Sequence, residues 1–349
     1  MPWTKVFSNR EEFEREFGPS GDGKLRAVTY REAINETTAS LLASDESVFV
    51  LGEGVDDPGG VFGTIRGLAG RFGGERVMDT PLAENGITGV AVGAAVAGMR
   101  PILVHMRMDF LPLAMDQLIN HAAKWRYMFG GAVNVPLVVR GIIGRGWGSA
   151  AQHSQSLHPL FAHVPGLKVV MPATPYDGSG LLRAAVYDGN PVVFIEHRWL
   201  FEHIGHVPAE PFEVEIGKGI VRRRGSDVTI VAFSYMVYEA LRAAKTLEAE
   251  GIEAEVVDPR TLRPLDEEII IDSVRKTGRL VTAEPGWRLC GMGSEVAALA
   301  AEKAFHALKA PPVRINTADV PTPASHVLEE AFYPGADDIA GAARRIVRE

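Results

Sequence analysis

Short runs rich in Val, Ile and Leu recur along the chain, separated by stretches with helical spacing of apolar residues. In the first block the runs are SVFVLG (47–52), PILVHM (101–106), VPLVVRGII (135–143), LKVVMP (167–172) and PVVFIE (191–196). Helical stretches lie at 30–42, 113–128 and 175–187. Strands that are apolar without alternation are buried on both faces, which predicts a parallel sheet covered by helices. The rhythm breaks over 202–225, a stretch that holds Pro208, Pro211 and the basic cluster Arg222, Arg223 and Arg224, and that predicts a crossover between domains. A second block restarts with DVTIVAFS (227–234), IEAEVVD (252–258), RLVTAE (279–284) and PVRINTA (312–318), with helices at 236–250 and 294–307. The expected class is α/β, with two doubly wound domains. The expected boundaries are an N-terminal extension 1–26, a first domain 27–205, a linker 206–225 and a second domain 226–349.

Composition narrows the class. A length of 349 residues agrees with two domains at roughly 150 residues each. With 46% hydrophobic and 23% charged residues the chain has the makeup of a folded protein. Thirty-six basic against 44 acidic residues give a net charge of −8, which carries no electrostatic footprint for nucleic acid. The one cysteine, Cys290, excludes an intrachain disulfide and a cysteine-rich zinc site. It also favours a reducing compartment. The stretch ITGVAVGAAVAGM (87–99) is shorter than the roughly 18–20 residues a membrane span needs, and it reads instead as a helix buried nearly all round. The N-terminus MPWTKVFSNREEFEREFG lacks the apolar middle of a secretion signal. The expectation is no membrane association, and a location in the cytoplasm or in an organelle matrix after removal of a targeting segment.

The richest chemistry lies in DTPLAENGITGVAVGAAVAGMRP (79–101), where Glu84 stands at the entrance of a Gly/Ala helix. Burial raises the pKa of such an acid, and the helix N-terminus opposes the rise. On periodicity alone the favoured role is a capping carboxylate. The loop GRGWGSAAQHSQ (144–155) follows a strand, where α/β proteins carry their active loops. His153 within it suits proton transfer or anion binding, or is an ordinary surface histidine. Three other features read as decoys. Gly21-Asp22-Gly23 resembles the start of a diphosphate–magnesium motif, but its sequel does not fit. GMGSE (291–295) lacks the full dinucleotide fingerprint and reads as a tight turn with a helix cap. His105 and His121 add no metal-ligand spacing.

Taken together, these stretches resemble the beta subunit of the thiamine-diphosphate-dependent decarboxylase component of 2-oxo acid dehydrogenase complexes, of the pyruvate and branched-chain type. The resemblance runs from about Ala27 almost to the C-terminus. Its motifs are GEGV near Glu53, PLAENGITGVAVGAAVAG, AAQHSQ, PGLKVVMPATPYDGSGLL, GSDVTIVAFSYMV, EVVDPRTLRPLDEE, SVRKTGRLV and DVPTPASHVLEEAFYP. It implies a pyrimidine-binding thiamine-diphosphate domain followed by a transketolase C-terminal-type domain. It makes Glu84 the catalytic acid on the cofactor's aminopyrimidine. A carboxyl group there favours the imino tautomer, whose nitrogen takes the thiazolium proton, and the thiazolium accepts electrons as carbon dioxide leaves. The resemblance also implies that Leu82, Met106 and Phe110 line or stack on that ring, positions that otherwise read as core. Glu53 falls at a glutamate position near the cofactor, although GEG also reads as a plain turn. His153 matches a histidine that assists acyl transfer to a lipoyl arm. Leu137, Ala185, Val186, Asp188 and Asn190 match oxygen ligands of a structural potassium ion in some relatives, or else form a strand-end turn.

The diphosphate–magnesium motif is missing from these motifs. The resemblance therefore implies an alpha subunit that binds magnesium and diphosphate, an α2β2 heterotetramer, a lipoyl acyltransferase partner and a small 2-oxo acid substrate. The chain departs from the pattern at Val104, where relatives often carry a glutamate, and at His105, Arg107, Arg145 and Trp147. If these groups face the substrate, a larger or anionic acyl group is accepted. Alternatively, Arg107 faces an adjoining subunit or an internal carboxylate. Two other readings are half of a split transketolase acting on sugar phosphates, and a non-catalytic scaffold subunit.

Overall fold

The computed structural model describes residues 7, 9–17, 25–144 and 148–348. Gly21, Asp22, Gly23, Arg145 and Trp147 lie outside the described residues. The chain forms two compact units, one of residues 1–143 and 160–216 and the other of residues 144–159 and 217–349.

The first unit contains α1 (Arg10–Phe17), β1 (Leu25–Thr29), α2 (Tyr30–Ser44), β2 (Val48–Gly52), α3 (Leu68–Phe72), β3 (Val77–Asp79), α4 (Glu84–Val96), β4 (Arg100–His105), α5 (Ala123–Met128) and β5 (Val138–Ile143). After α6 (His158–Ala162), whose first two residues count with the second unit, come β6 (Lys168–Val170), α7 (Pro175–Tyr187), β7 (Val192–His197) and β8 (Ile204–Pro208). Six parallel strands pair in the order β6-β7-β5-β4-β2-β3. Every residue of β2, β5 and β7 is buried, as expected for β-branched runs covered on both faces. Local chemistry sets the helix starts. Thr29 caps α2 in a reciprocal pair with Glu32, and Thr174 caps α7 ahead of Pro175.

The second unit contains β9 (Ile220–Arg223), β10 (Val228–Ala232), α8 (Tyr235–Glu248), β11 (Ala254–Asp258), a short strand β12 (Thr261–Arg263), α9 (Glu267–Thr277), β13 (Leu280–Ala283), α10 (Met292–Lys303), β14 (Val313–Ile315), α11 (His326–Phe332) and α12 (Ala336–Arg348). Its strands pair in the order β14-β13-β10-β11-β9, all parallel except β9, which runs antiparallel to β11.

Three details differ from the sequence pattern. The stretch 202–225 contains β8, which pairs antiparallel with β1, and all of β9. The helical stretch 113–128 is not one α-helix. A 3-10 segment Met108–Ala114 with Pro112 inside it gives way to a π-helical turn Gln117–Ala122, and only then to α5. Periodicity senses the apolar face but not which carbonyl each amide chooses. The third difference corrects the expectation for α4, which is not buried all round. Thr88, Ala91, Val92 and Ala95 are buried, whereas Val90 is 60% exposed and Gly86 and Gly93 face open space. Apolar composition reports that a helix wants cover, and this chain covers only one face. Among the described residues, no helix is long and apolar enough to cross a membrane.

Candidate active site

The sheet order brings β4, β2 and β3 side by side with their C-terminal ends together. Ligands of doubly wound sheets bind outside those ends. Glu53 follows β2, Asp79 closes β3, Glu84 opens the helix after β3, and Met106 and Phe110 follow β4. Parallel pairing of distant segments thus gathers residues 53, 79, 84, 106 and 110 at one edge. The Met106 side chain abuts the turn after Glu53: a Cβ added at Gly54 would lie 2.9 Å from its Cε.

Glu84 does not cap its helix. The N-cap position is Ala83, with no side-chain hydrogen bond, and Glu84 is the first helical residue, half-buried. Its near neighbour is another acid. The carboxyl of Glu53 is raised to about 7, first by burial and then by the negative charges of Glu84 and Asp79. Asp79 also accepts the Gly54 N–H at 2.7 Å, which pins the turn. Sequence reasoning missed Asp79, whose signal was a lone carboxylate at the end of a strand just before the Glu84 motif. Leu82 is 81% exposed, and Met106 and Phe110 are half-buried, so none of the three is a core residue. An acid flanked by accessible apolar side chains fits the polar edge and flat face of an aminopyrimidine.

Neither His105 nor Arg107, which follow one another along β4 and its exit, offers a free positive charge to this edge. His105 is buried, with its Nε2 3.4 Å from the Thr88 hydroxyl, and burial lowers it to about 4, so it is neutral at pH 7. Arg107 is buried against Asp109, with Nε 3.4 Å from Oδ2. The internal carboxylate is therefore its partner, and these two residues give no ground for an anionic acyl group. A cleft of about 430 Å3 elsewhere in the first unit is lined by Arg126, Tyr127 and Asn190, among others, and by none of the cofactor candidates.

His153 is exposed on the segment 144–159, which counts with the second unit. The five potassium candidates lie where α7 ends and β7 begins, against the approach to β5. The Leu137 carbonyl accepts from Val192 N (2.8 Å), Ala185 from Asp188 N (3.3 Å), and Val186 from Arg100 (2.8 Å). Asp188 accepts from the backbone and side-chain nitrogens of Asn190 (both 2.9 Å) and pairs with Lys168. Each of the three carbonyls has a second lone pair left for another partner, whereas the Asp188 carboxylate is already held by Asn190 and Lys168. Among the described residues, no group of three or more His, Cys, Asp or Glu is arranged to hold a metal ion.

Residues 26–202 match the transketolase pyrimidine-binding domain, and residues 217–339 match the transketolase C-terminal domain. The chain is 44% identical to the acetoin:2,6-dichlorophenolindophenol oxidoreductase subunit beta of Cupriavidus necator, over 93% of this chain and 98% of that one. It is 46% identical to the mitochondrial pyruvate dehydrogenase E1 component subunit beta of Bos taurus, over 91% and 90%. A solved split-gene transketolase, described as an inactive beta4 tetramer, superposes with a TM-score of 0.73 at 28% identity, covering 92% of this chain and 98% of that one. With both domains matched in order and such relatives along nearly its whole length, the chain belongs to the family of pyruvate- and acetoin-type E1 beta subunits, thiamine-diphosphate-dependent proteins built from two transketolase-type domains.

Proposed function

We propose that the chain is the beta half of a 2-oxo acid dehydrogenase that decarboxylates a pyruvate-like or branched-chain acid and passes the acyl group to a lipoyl-lysine of a partner acyltransferase. The observation that carries this reading is Glu84, uncapped and half-buried, beside the raised acid Glu53 and the accessible Leu82, Met106 and Phe110. When bound, thiamine diphosphate supplies the basic nitrogen and the electron sink. Glu84 then holds a proton at the pyrimidine ring nitrogen. Glu53, raised to about 7 by burial and by the charges of Glu84 and Asp79, is the neighbouring acid. Leu82, Met106 and Phe110 grip the ring and exclude water. His153 moves a proton during acyl transfer. In this reading magnesium and the diphosphate belong to an alpha subunit in an α2β2 assembly, located in the cytoplasm or an organelle matrix. The inactive beta4 state named for the split-gene transketolase supports the need for a partner. A structural potassium ion at Leu137, Ala185, Val186, Asp188 and Asn190 completes the proposal.

A second reading puts a hydroxyketone in the same site. The acetoin oxidoreductase relatives favour it, at identities that match those of the pyruvate dehydrogenase chains. One experiment separates these readings. The chain is co-expressed with its alpha subunit and given thiamine diphosphate, magnesium and an artificial electron acceptor. Pyruvate, branched 2-oxo acids, acetoin and sugar phosphates are then compared. The expected result is turnover with a 2-oxo acid only when alpha is present. Preference for acetoin or for a sugar phosphate replaces the substrate class. Ordinary turnover by the chain alone, or none with any substrate, overturns the subunit reading.

A further inference from the structure

The stretch GMGSE opens α10, and its amides are already occupied. Met292 N and Gly293 N donate to the two carboxylate oxygens of Glu284 at 3.0 and 2.9 Å. Asn316 Nδ2 donates to the same group at 3.0 Å, and His158 Nε2 lies 3.0 Å from its second oxygen. Both side chains are buried, His158 at 0% and Glu284 at 1% exposure. Two glycines make the room. A Cβ at Gly291 would lie 2.3 Å from Glu284 Oε1, and one at Gly286 would lie 3.0 Å from His158 Cε1. Burial pushes the Glu284 carboxyl up. The hydrogen bond and charge of His158, the Gly293 amide and Asn316 outweigh that effect and hold it below the usual glutamate range. A carboxylate only accepts, so His158 Nε2 carries the proton and donates it.

His158 lies five residues after His153 on the same segment. Between them Ser154 and Ser156 are buried, whereas His153 is exposed. Ala150, whose carbonyl accepts the His153 N–H at 3.4 Å, holds a left-handed φ of 57°. A non-glycine residue keeps that conformation only where its surroundings over-determine it. The segment therefore presents one exposed imidazole between a strained turn and a buried polar anchor. Glu284 also receives two helix amides and Asn316, so the hydrogen bond from His158 ties this end of the segment to the start of α10 in a fixed direction.

We propose that His158 and Glu284 are a positioning pair that sets the place of the His153 loop for acyl transfer, an inference that rests on the acyl-transfer reading of His153. The test uses the assembled complex with its alpha subunit, a lipoyl domain as one acceptor and an artificial electron acceptor as the other. In His158→Ala, lipoyl-domain acylation falls about tenfold or more, because small displacements of a reacting group are costly, while artificial-acceptor turnover stays within about twofold. His158→Gln, whose amide can donate to the same carboxylate, recovers much of the loss. If His158→Ala does not fold, His158→Leu fills the space without the hydrogen bond and carries the same prediction. His153→Ala is run alongside. If it leaves lipoyl acylation intact, the reading of His153 fails, and this inference fails with it. If it removes acylation while the His158 variant acylates at the parental rate, the positioning pair alone is overturned. Equal losses with both acceptors, unrelieved by Gln, overturn the pair in favour of a purely structural role.

Discussion

Glu84 and Glu284 each sit at the N-terminal end of a glycine-containing helix, one in each unit, and differ in what surrounds the carboxylate. Glu284 precedes α10, is buried, and receives two helix amides, an asparagine and a histidine. Glu84 is the first residue of α4, lacks a cap bond and has another acid as its neighbour. Helix N-termini favour anions in both places. A carboxylate whose lone pairs are filled by fixed donors holds structure together. One left half-exposed, with no cap bond and accessible apolar side chains around it, is open to a ligand.

The sharpest way to break this contrast is to remove the acidity of each. Glu84→Gln keeps the shape and loses the proton. We expect a fall in artificial-acceptor turnover of about a hundredfold or more in the assembled complex, with the circular dichroism spectrum unchanged. Full activity in this variant would remove Glu84 from catalysis. Next in size is the stability difference. Glu284→Ala strands a buried histidine and two helix amides, and should cost about 3–5 kcal/mol in urea unfolding. Glu84→Ala should stay within about 0.5 kcal/mol, as a partly exposed residue without fixed partners. Similar losses from the two would erase the distinction.

The smallest effect is a pH dependence. Glu53 moves from the ordinary 4.5 to about 7 on folding, so the folded chain binds more protons than the unfolded chain between those values. Its contribution to stability is full below the unfolded value and is lost as pH rises through the folded value. Glu284 has the opposite sign. Its folded pKa is depressed, so its contribution is present at neutral pH and lost on acidification below the ordinary glutamate range. Thermal melts of Glu53→Gln against the parent from pH 4.5 to 8 should show the variant gaining relative stability up to about pH 7 and no further. A constant offset would show that Glu53 is not raised.

The strands of the parallel sheets were legible because each needs both faces apolar, as in FVL of β2 and VVFI of β7. The start of α7 was legible from Thr174 and Pro175, which act within one turn. The pairing of β1 with β8 was not, since LRAVT and IGHVP are short and mixed and lie about 180 residues apart. The resemblance singled out Glu84 and Glu53, but the effect of the Glu84 charge on Glu53 depends on β2 lying beside β3. His105 and Arg107 read as positive groups from their residue types alone. Burial neutralises the first, and Asp109 neutralises the second. The partnership of His158 with Glu284 spans 126 residues and leaves no local trace.

By itself the amino-acid order determined the strand–helix alternation, the capped starts of α2 and α7 and, through its motifs, the family, because each of these is written in neighbouring residues. Only the tertiary structure decided which acid is satisfied and which is half-buried, which charges cancel, and that this chain covers just one face of α4. Those properties depend on distance and burial, and both are set by segments far apart in the chain.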